Sequence, residues 1–305
     1  MAAAAVAAAT SRGRSLDRPA EVPSDRPAGV RTSDPLRTFL DRNRRLFVLT
    51  GAGCSTASGI PDYRDDNGDW KRAQPVMLQR FLADEYTRKR YWARSMVGWQ
   101  RMHAARPNDA HHALAALGHA GRIEQLVTQN VDGLHQAAGS PDVIDLHGRI
   151  DVVRCLDCGE RVPRATVQAD LLRRNQRFAH LDALTAPDGD ADLDGVPFDL
   201  FELPACGRCG GLLKPDVVFF GEGVPKARVD QALAALERSD AMLVVGSSLM
   251  VYSGYRFAQA MAARGKPIAA VNLGRTRADD LLAFKVTEPC GDALQFLLNE
   301  QLSPR

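Results

Sequence analysis

The chain of 305 residues has no run of about 18 apolar residues, so nothing in it reads as a membrane-spanning helix. Aromatics are sparse at 6%, and a formal net charge of +2 gives no reason to expect a nucleic-acid or anionic-membrane partner. The opening MAAAAVAAATSRGR has no basic residue ahead of its alanines, which argues against a secretory signal. Arg12, Arg14 and Arg18 carry a faint transit-peptide character. The plainer expectation is a disordered Ala/Arg/Pro-rich tail over residues 1–33 of a cytoplasmic protein, with the mitochondrial matrix as the alternative.

Cysteine is scarce too, but four of the six residues form C-x-x-C pairs, Cys155/Cys158 and Cys206/Cys209. In a long chain without a secretory signal this suits metal binding better than a disulfide framework. Each pair is followed by glycine (Gly159, Gly210), the pattern of a knuckle that offers both sulfurs to one tetrahedral Zn²⁺. A four-thiolate site is coordinatively full and therefore structural, so His147, eight residues ahead of Cys155, is free for other work. Taken alone, His147 reads equally well as a neutral histidine bonded to backbone, as do His111, His112 and His135.

Short apolar runs at 46–53, 125–132, 217–222, 242–248 and 267–274 alternate with helix-patterned segments at 109–120, 225–238 and 253–264. That order predicts an α/β fold, a Rossmann-like parallel sheet covered by helices on both faces. In such sheets ligands bind beyond the carboxyl ends of the strands, which is where the polar motifs fall. Gly51 and Gly53 let the backbone turn tightly after the first strand, and Ser55 or Thr56 is placed to cap a following helix. The third glycine of G-x-G-x-x-G is missing, and no acid follows the second strand at the usual distance, so a dehydrogenase-type site is disfavoured. Asn130, Asp132 and Asn272 offer the amide and carboxylate groups that a ribose or carboxamide needs. Gly246-Ser247-Ser248 is small enough to admit a pyrophosphate.

Together these segments resemble the sirtuins, NAD-dependent protein-lysine deacylases. The motifs are GAGCSTASGIPDYR (51–64), TQNVDGLHQAAG (128–139), LHG (146–148), the two cysteine pairs, LKPDVVFFGE (213–222), GSSLMVYSG (246–254) and VNLG (271–274). They cover roughly residues 35–295 in order, and YWARSMVGW (91–99), CLDCGE and APDGD look most like the class II branch, bacterial-type. The resemblance implies a catalytic domain over 34–305. Its large NAD-binding lobe would use about 34–63, 106–150 and 216–305. Its small lobe would join a helical insertion (64–105) to a zinc module (151–215).

Carried over by motif, Gly51, Ala52, Gly53, Ser55, Ile60, Asp62, Tyr63 and Arg64 would line the phosphate side of NAD. Gln129, Asn130, Val131 and Asp132 would meet the nicotinamide ribose and carboxamide. Gly246, Ser247, Ser248, Asn272, Leu273, Gly274 and Cys290 would take the adenosine side. His147 would be the general base, with Asn130 beside it as the second catalytic residue. An acylated-lysine protein substrate would add as a strand against Val218, Phe219, Phe220, Gly221 and Glu222. The products would be nicotinamide, free lysine and O-acyl-ADP-ribose.

Tyr91 and Arg94 lie three apart, on one face of a helix, and could hold a carboxylate at the end of an acyl chain. That leads to the expectation of acidic or longer acyl groups. Protein mono-ADP-ribosyl transfer, or a non-catalytic NAD- and zinc-containing module, are the competing readings. The chain is expected to act as a monomer, without nucleic acid or membrane.

Overall fold

The computed structural model describes residues 34–71, 75–181, 193 and 196–299, within a compact unit spanning 32–305. The expected tail at 1–33 and most of the APDGDADLDG loop lie outside the described residues. From its start, α1 (Asp34–Arg42) leads into β1 (Leu46–Thr50). Then come α2 (Leu78–Ala83), α3 (Glu85–Ala104), α4 (Asp109–His119), β2 (Ile123–Thr128), a short α5 (Leu134–Ala137) and β3 (Val143–Asp145). The chain departs into β4 (Gly148–Cys155), β5 (Arg161–Pro163), α6 (Arg164–Arg174) and β6 (Leu213–Val217). It returns through α7 (Lys226–Arg238), β7 (Ala241–Val245), α8 (Tyr252–Ala262), β8 (Ile268–Val271), β9 (Phe284–Val286) and α9 (Cys290–Leu294).

Six strands form one parallel sheet in the order β3-β2-β1-β7-β8-β9. Central β1 is buried along its whole length, which is why LFVLT is apolar without alternation. Its side chains still alternate in direction. Leu46 and Val48 join a core with Leu36, Leu114 and Leu243, while Phe47 and Leu49 join another with Leu236, Phe257 and Met261. Strand order reverses between β1 and β7, the point at which sheets of this kind form a ligand-binding crevice. The two strand ends close on each other there, since Gly53 N–H donates to Gly246 O at 2.8 Å. A Cβ on Gly246 would sit 2.2 Å from Cys54 N, so this crossing of loops requires glycine.

The second sheet is antiparallel, in the order β5-β4-β6. It packs with α2, α3 and α6 around Phe81, Tyr91, Trp92, Phe178, Phe201 and Phe219, a cluster rich in aromatics. Helices α2 and α3 fall within the stretch 64–105.

Two local expectations are corrected. The apolar run at 217–222 is not a strand of the parallel sheet. The strand is Leu213–Val217, in the antiparallel sheet, because Val217 pairs with Gly148. Beyond it the chain turns, with Glu222 N–H donating to Phe219 O at 3.0 Å. Nor does a capped α-helix follow the glycine turn. Two 3-10 turns, Ala52–Cys54 and Thr56–Ser58, stand in its place, and the Ser55 hydroxyl caps neither. Its hydroxyl is drawn instead to Asp132, in the loop after β2, at 2.7 Å.

Candidate active site and metal centre

The loops after β1, β2 and β3 converge. Asn130 Nδ2 donates to Gly51 O and Ser55 Oγ, both at 3.0 Å, and Ser55 in turn donates to Asp132 Oδ2. Asp132 Oδ1 accepts from Leu134 N at 2.9 Å. Burial raises the Asp132 pKa, and these two hydrogen bonds oppose the shift. Gln129 Nε2 reaches the other strand end, donating to Ser247 Oγ at 2.7 Å. The residues expected at the NAD ribose and pyrophosphate are therefore one hydrogen-bonded set spanning the crevice.

His147 stands at the rim of this set. Leu146 N–H donates to Thr128 O, which carries the chain past the end of β2, and Gly148 then reverses it with φ +83°. A Cβ on Gly148 would lie 2.0 Å from Asp216 O, so the glycine of LHG is obligatory where β4 meets β6. The His147 carbonyl accepts from Val218 N–H at 2.8 Å, tying the histidine to the segment Val218–Glu222. Its Nδ1 lies 2.8 Å from Gln129 O and its Nε2 lies 2.8 Å from Ser253 Oγ. Burial pushes the His147 pKa down to about 4, helped by Arg228 and Arg256 and opposed by the bond to Gln129. The imidazole is neutral at physiological pH, further from its ordinary value than a base left at about 6.5 would be. Ser253, in the first turn of α8, is the contact that the sequence did not single out.

The remaining expected residues are more dispersed. Arg64 lies over the Trp70 ring at 4.1 Å and donates to Gly68 O. Asp62 pairs with Lys71 at 2.6 Å, and Tyr63 packs edge-on against Trp70 and Phe220. Ile60 is buried against Trp99 and Leu134, and Val131 O accepts from Ile150 N–H. Ser248 O accepts from Arg277 N–H, Asn272 Nδ2 donates to Gly274 O, and Leu273 is exposed. Cys290 begins α9, its thiol 3.7 Å from Gly53 O. On the substrate side Tyr91 is packed on Phe219, ring centroids 5.1 Å apart. Arg94 shares its helix. Phe220 O accepts from Leu78 N–H, and Glu222 turns inward to Lys214 at 3.0 Å and Phe219 N at 2.8 Å.

The four paired cysteines meet although the pairs are far apart in sequence. Cys155 and Cys209 sulfurs are 3.6 Å apart, and Cys158 and Cys206 sulfurs 3.7 Å. A tetrahedron with Zn–S bonds of about 2.3 Å has edges of about 3.8 Å, so the spacing fits zinc. The charge pattern agrees. The Cys158 N–H, with that of Asp157 behind it, brings the Cys155 pKa down to about 7. Cys209, despite the Gly211 N–H, is pushed up to about 12 by the Cys158 and Cys155 sulfurs. Such crowding of thiols is what a divalent cation relieves.

A second cluster, Cys54, His111 and His135, has potential ligand atoms within 4.8 Å of one another. Its hydrogen bonds give it another job. Asn108 N–H donates to His111 Nδ1, which leaves the proton of this buried neutral ring on Nε2 and its lone pair used as a helix cap. His135 Nε2 lies 2.9 Å from Thr50 Oγ1, which donates to Thr128 Oγ1. This seam supports the floor under Asn130, whose N–H donates to the same Thr128 oxygen.

Fold and site together define an α/β protein that handles a dinucleotide beside a four-thiolate metal module. The Sir2 family model matches residues 51–253, and the chain belongs to the Sir2 family. It is 64% identical to an NAD-dependent protein deacetylase of Xanthomonas campestris over 88% of this chain and 92% of the relative. It is also 64% identical to NAD-dependent protein deacetylase 2 of Bradyrhizobium diazoefficiens over 86% and 96%. A solved structure of Sir2 with a p53 peptide and NAD+ superposes with a TM-score of 0.70 at 30% identity, covering 87% of this chain and 97% of that one.

Proposed function

We infer that this protein is an NAD-dependent protein-lysine deacylase with one structural zinc ion. The observation that carries the reading is the position of His147. Its ring is bonded to the loop that bears Asn130 and Asp132, and its carbonyl is bonded to the segment that would receive a peptide. The donor set suits NAD, with hydroxyls and amides across the strand ends and one carboxylate, Asp132, for a ribose or carboxamide. When bound, NAD would supply an activated ribose carbon as electrophile for the acyl oxygen. Asn130, Ser55 and Asp132 would hold and orient the group, and His147 would take up a proton at Nε2. Cys155, Cys158, Cys206 and Cys209 hold the zinc away from the chemistry. The bacterial relatives favour the cytoplasm over a mitochondrial setting.

The acyl preference we propose rests on Tyr91 and Arg94, which follow one another on α3. Tyr91 is wedged between Phe81 and Phe219, so this face of α3 adjoins the peptide segment. A panel of acetyl-, branched- and glutaryl-type lysine peptides with NAD, scored for nicotinamide and deacylated product together, tests both levels. We expect NAD-dependent deacylation, with the acidic acyl group losing about tenfold relative to acetyl in Arg94→Ala. Nicotinamide release with ADP-ribose added to the target and no acyl loss would instead support ADP-ribosyl transfer.

A further inference from the structure

The two hydrogen bonds of His147 settle which nitrogen holds its proton. Gln129 O, a carbonyl, can only accept, so Nδ1 carries the hydrogen and donates to it. The lone pair is then on Nε2, and it is already taken: the Ser253 hydroxyl, 2.8 Å away, is the donor that fits it. The reverse tautomer would set the Nδ1 lone pair against a carbonyl oxygen at 2.8 Å. Thus the one basic atom of the ring faces a serine hydroxyl rather than open cleft.

Ser253 is held beside the ring by its own helix. It lies in the first turn of α8, which is braced against the same loop as the ring: a Cβ on the next residue, Gly254, would fall 2.4 Å from Gln129 Oε1. Ser253 and His147 are each half-buried, and the two residues before Ser253, Val251 and Tyr252, are exposed. The hydroxyl therefore sits against the half-buried imidazole, next to the exposed start of α8.

We propose that Ser253 is the proton relay of His147. Its O–H bond breaks as the proton passes to Nε2, and its oxygen takes the proton of the substrate hydroxyl that His147 is to deprotonate. Serine is regenerated in the same step, and the net transfer is one proton from substrate to imidazole. The proposal rests on the deacylase reading of His147 and adds to it a group that touches the reacting hydroxyl.

The test compares wild type, Ser253→Ala and Ser253→Thr. In the ligand-free protein, the ¹⁵N signal of His147 Nε2 should report a hydrogen-bonded acceptor in wild type and Ser253→Thr, and move toward an unbonded nitrogen in Ser253→Ala. With saturating acyl-peptide and NAD, Ser253→Ala should lose at least about tenfold in kcat while its KM for NAD stays within about twofold. Ser253→Thr should recover most of the loss. The solvent-deuterium proton inventory of kcat should change from curved, with two protons in flight, to linear in Ser253→Ala. An active wild type whose Ser253→Ala variant keeps its turnover removes the relay alone. So does a loss of kcat that Ser253→Thr does not repair and that leaves the inventory unchanged. A wild type that releases no nicotinamide removes the parent reading and the relay with it.

Discussion

Gly148 shows how narrow the tolerance is where His147, the proposed general base, is held. Its φ of +83° is left-handed, and the space a side chain would need is occupied by the Asp216 carbonyl. Gly148→Ala should therefore lower stability by at least about 2 kcal/mol, combining backbone strain with a displaced β4–β6 pairing. The midpoint of denaturant unfolding measures it, and a shift no larger than that of an exposed Gly→Ala change would contradict the geometry. The same residue explains why His147 sits where it does. The reversal aims its carbonyl at Val218 and its ring at Gln129 and Ser253. Asn130 and Asp132 stood out in the sequence as polar residues at a strand end, whereas His147 was singled out by the resemblance to a known family. Neither signal located Ser253, since a serine opening an amphipathic helix looks like any other until the fold brings it beside a ring 106 residues away.

At the scale of elements, β4 is shared by two devices. One end follows His147 and the other supplies Cys155. Replacing the histidine should leave the metal site whole: His147→Ala is expected to abolish deacylation while elemental analysis still finds zinc. Cys158→Ser should do the reverse, losing zinc and then the order of β4–β6, while β1 and β7 keep their amide protection in hydrogen exchange. Protection lost uniformly across both sheets would show that the modules do not unfold separately. The parallel strands were legible because burial on both faces makes them continuously apolar. The run at 217–222 misled for the same reason. Val217 and Phe219 are apolar because they serve the small core, and nothing in a short apolar run says which sheet it joins. The missing α-helix after Gly53 was hidden similarly, since Ser55 fits a cap and is recruited by Asp132 only through tertiary contact.

Across the whole molecule, three histidines contribute to the response to acid, His111 and His135 buried and His147 half-buried. Burial brings His111 and His147 down to about 4 and His135 to about 3. Each folded pKa lies below the unfolded value near 6.5, so between about 6.5 and 4 the unfolded chain binds more protons than the folded one. Stability is fully present above that window and is lost as pH falls through it, by up to about 1.4 kcal/mol per pH unit for each histidine. Unfolding midpoints from pH 7.5 down to 4.5 should be flat at first and then drop steeply; a flat profile to 4.5 would mean that these rings are not buried as described. The pairing of Gly148 with Val217 has a further consequence for this architecture. The long excursion that carries the metal begins and ends on adjacent strands, so it is inserted through a single doorway in the parent fold. Such a segment can lengthen, shrink or be exchanged between relatives as one piece without moving the doorposts. Diversity in the excursion can therefore accumulate while the rim that carries His147 stays fixed.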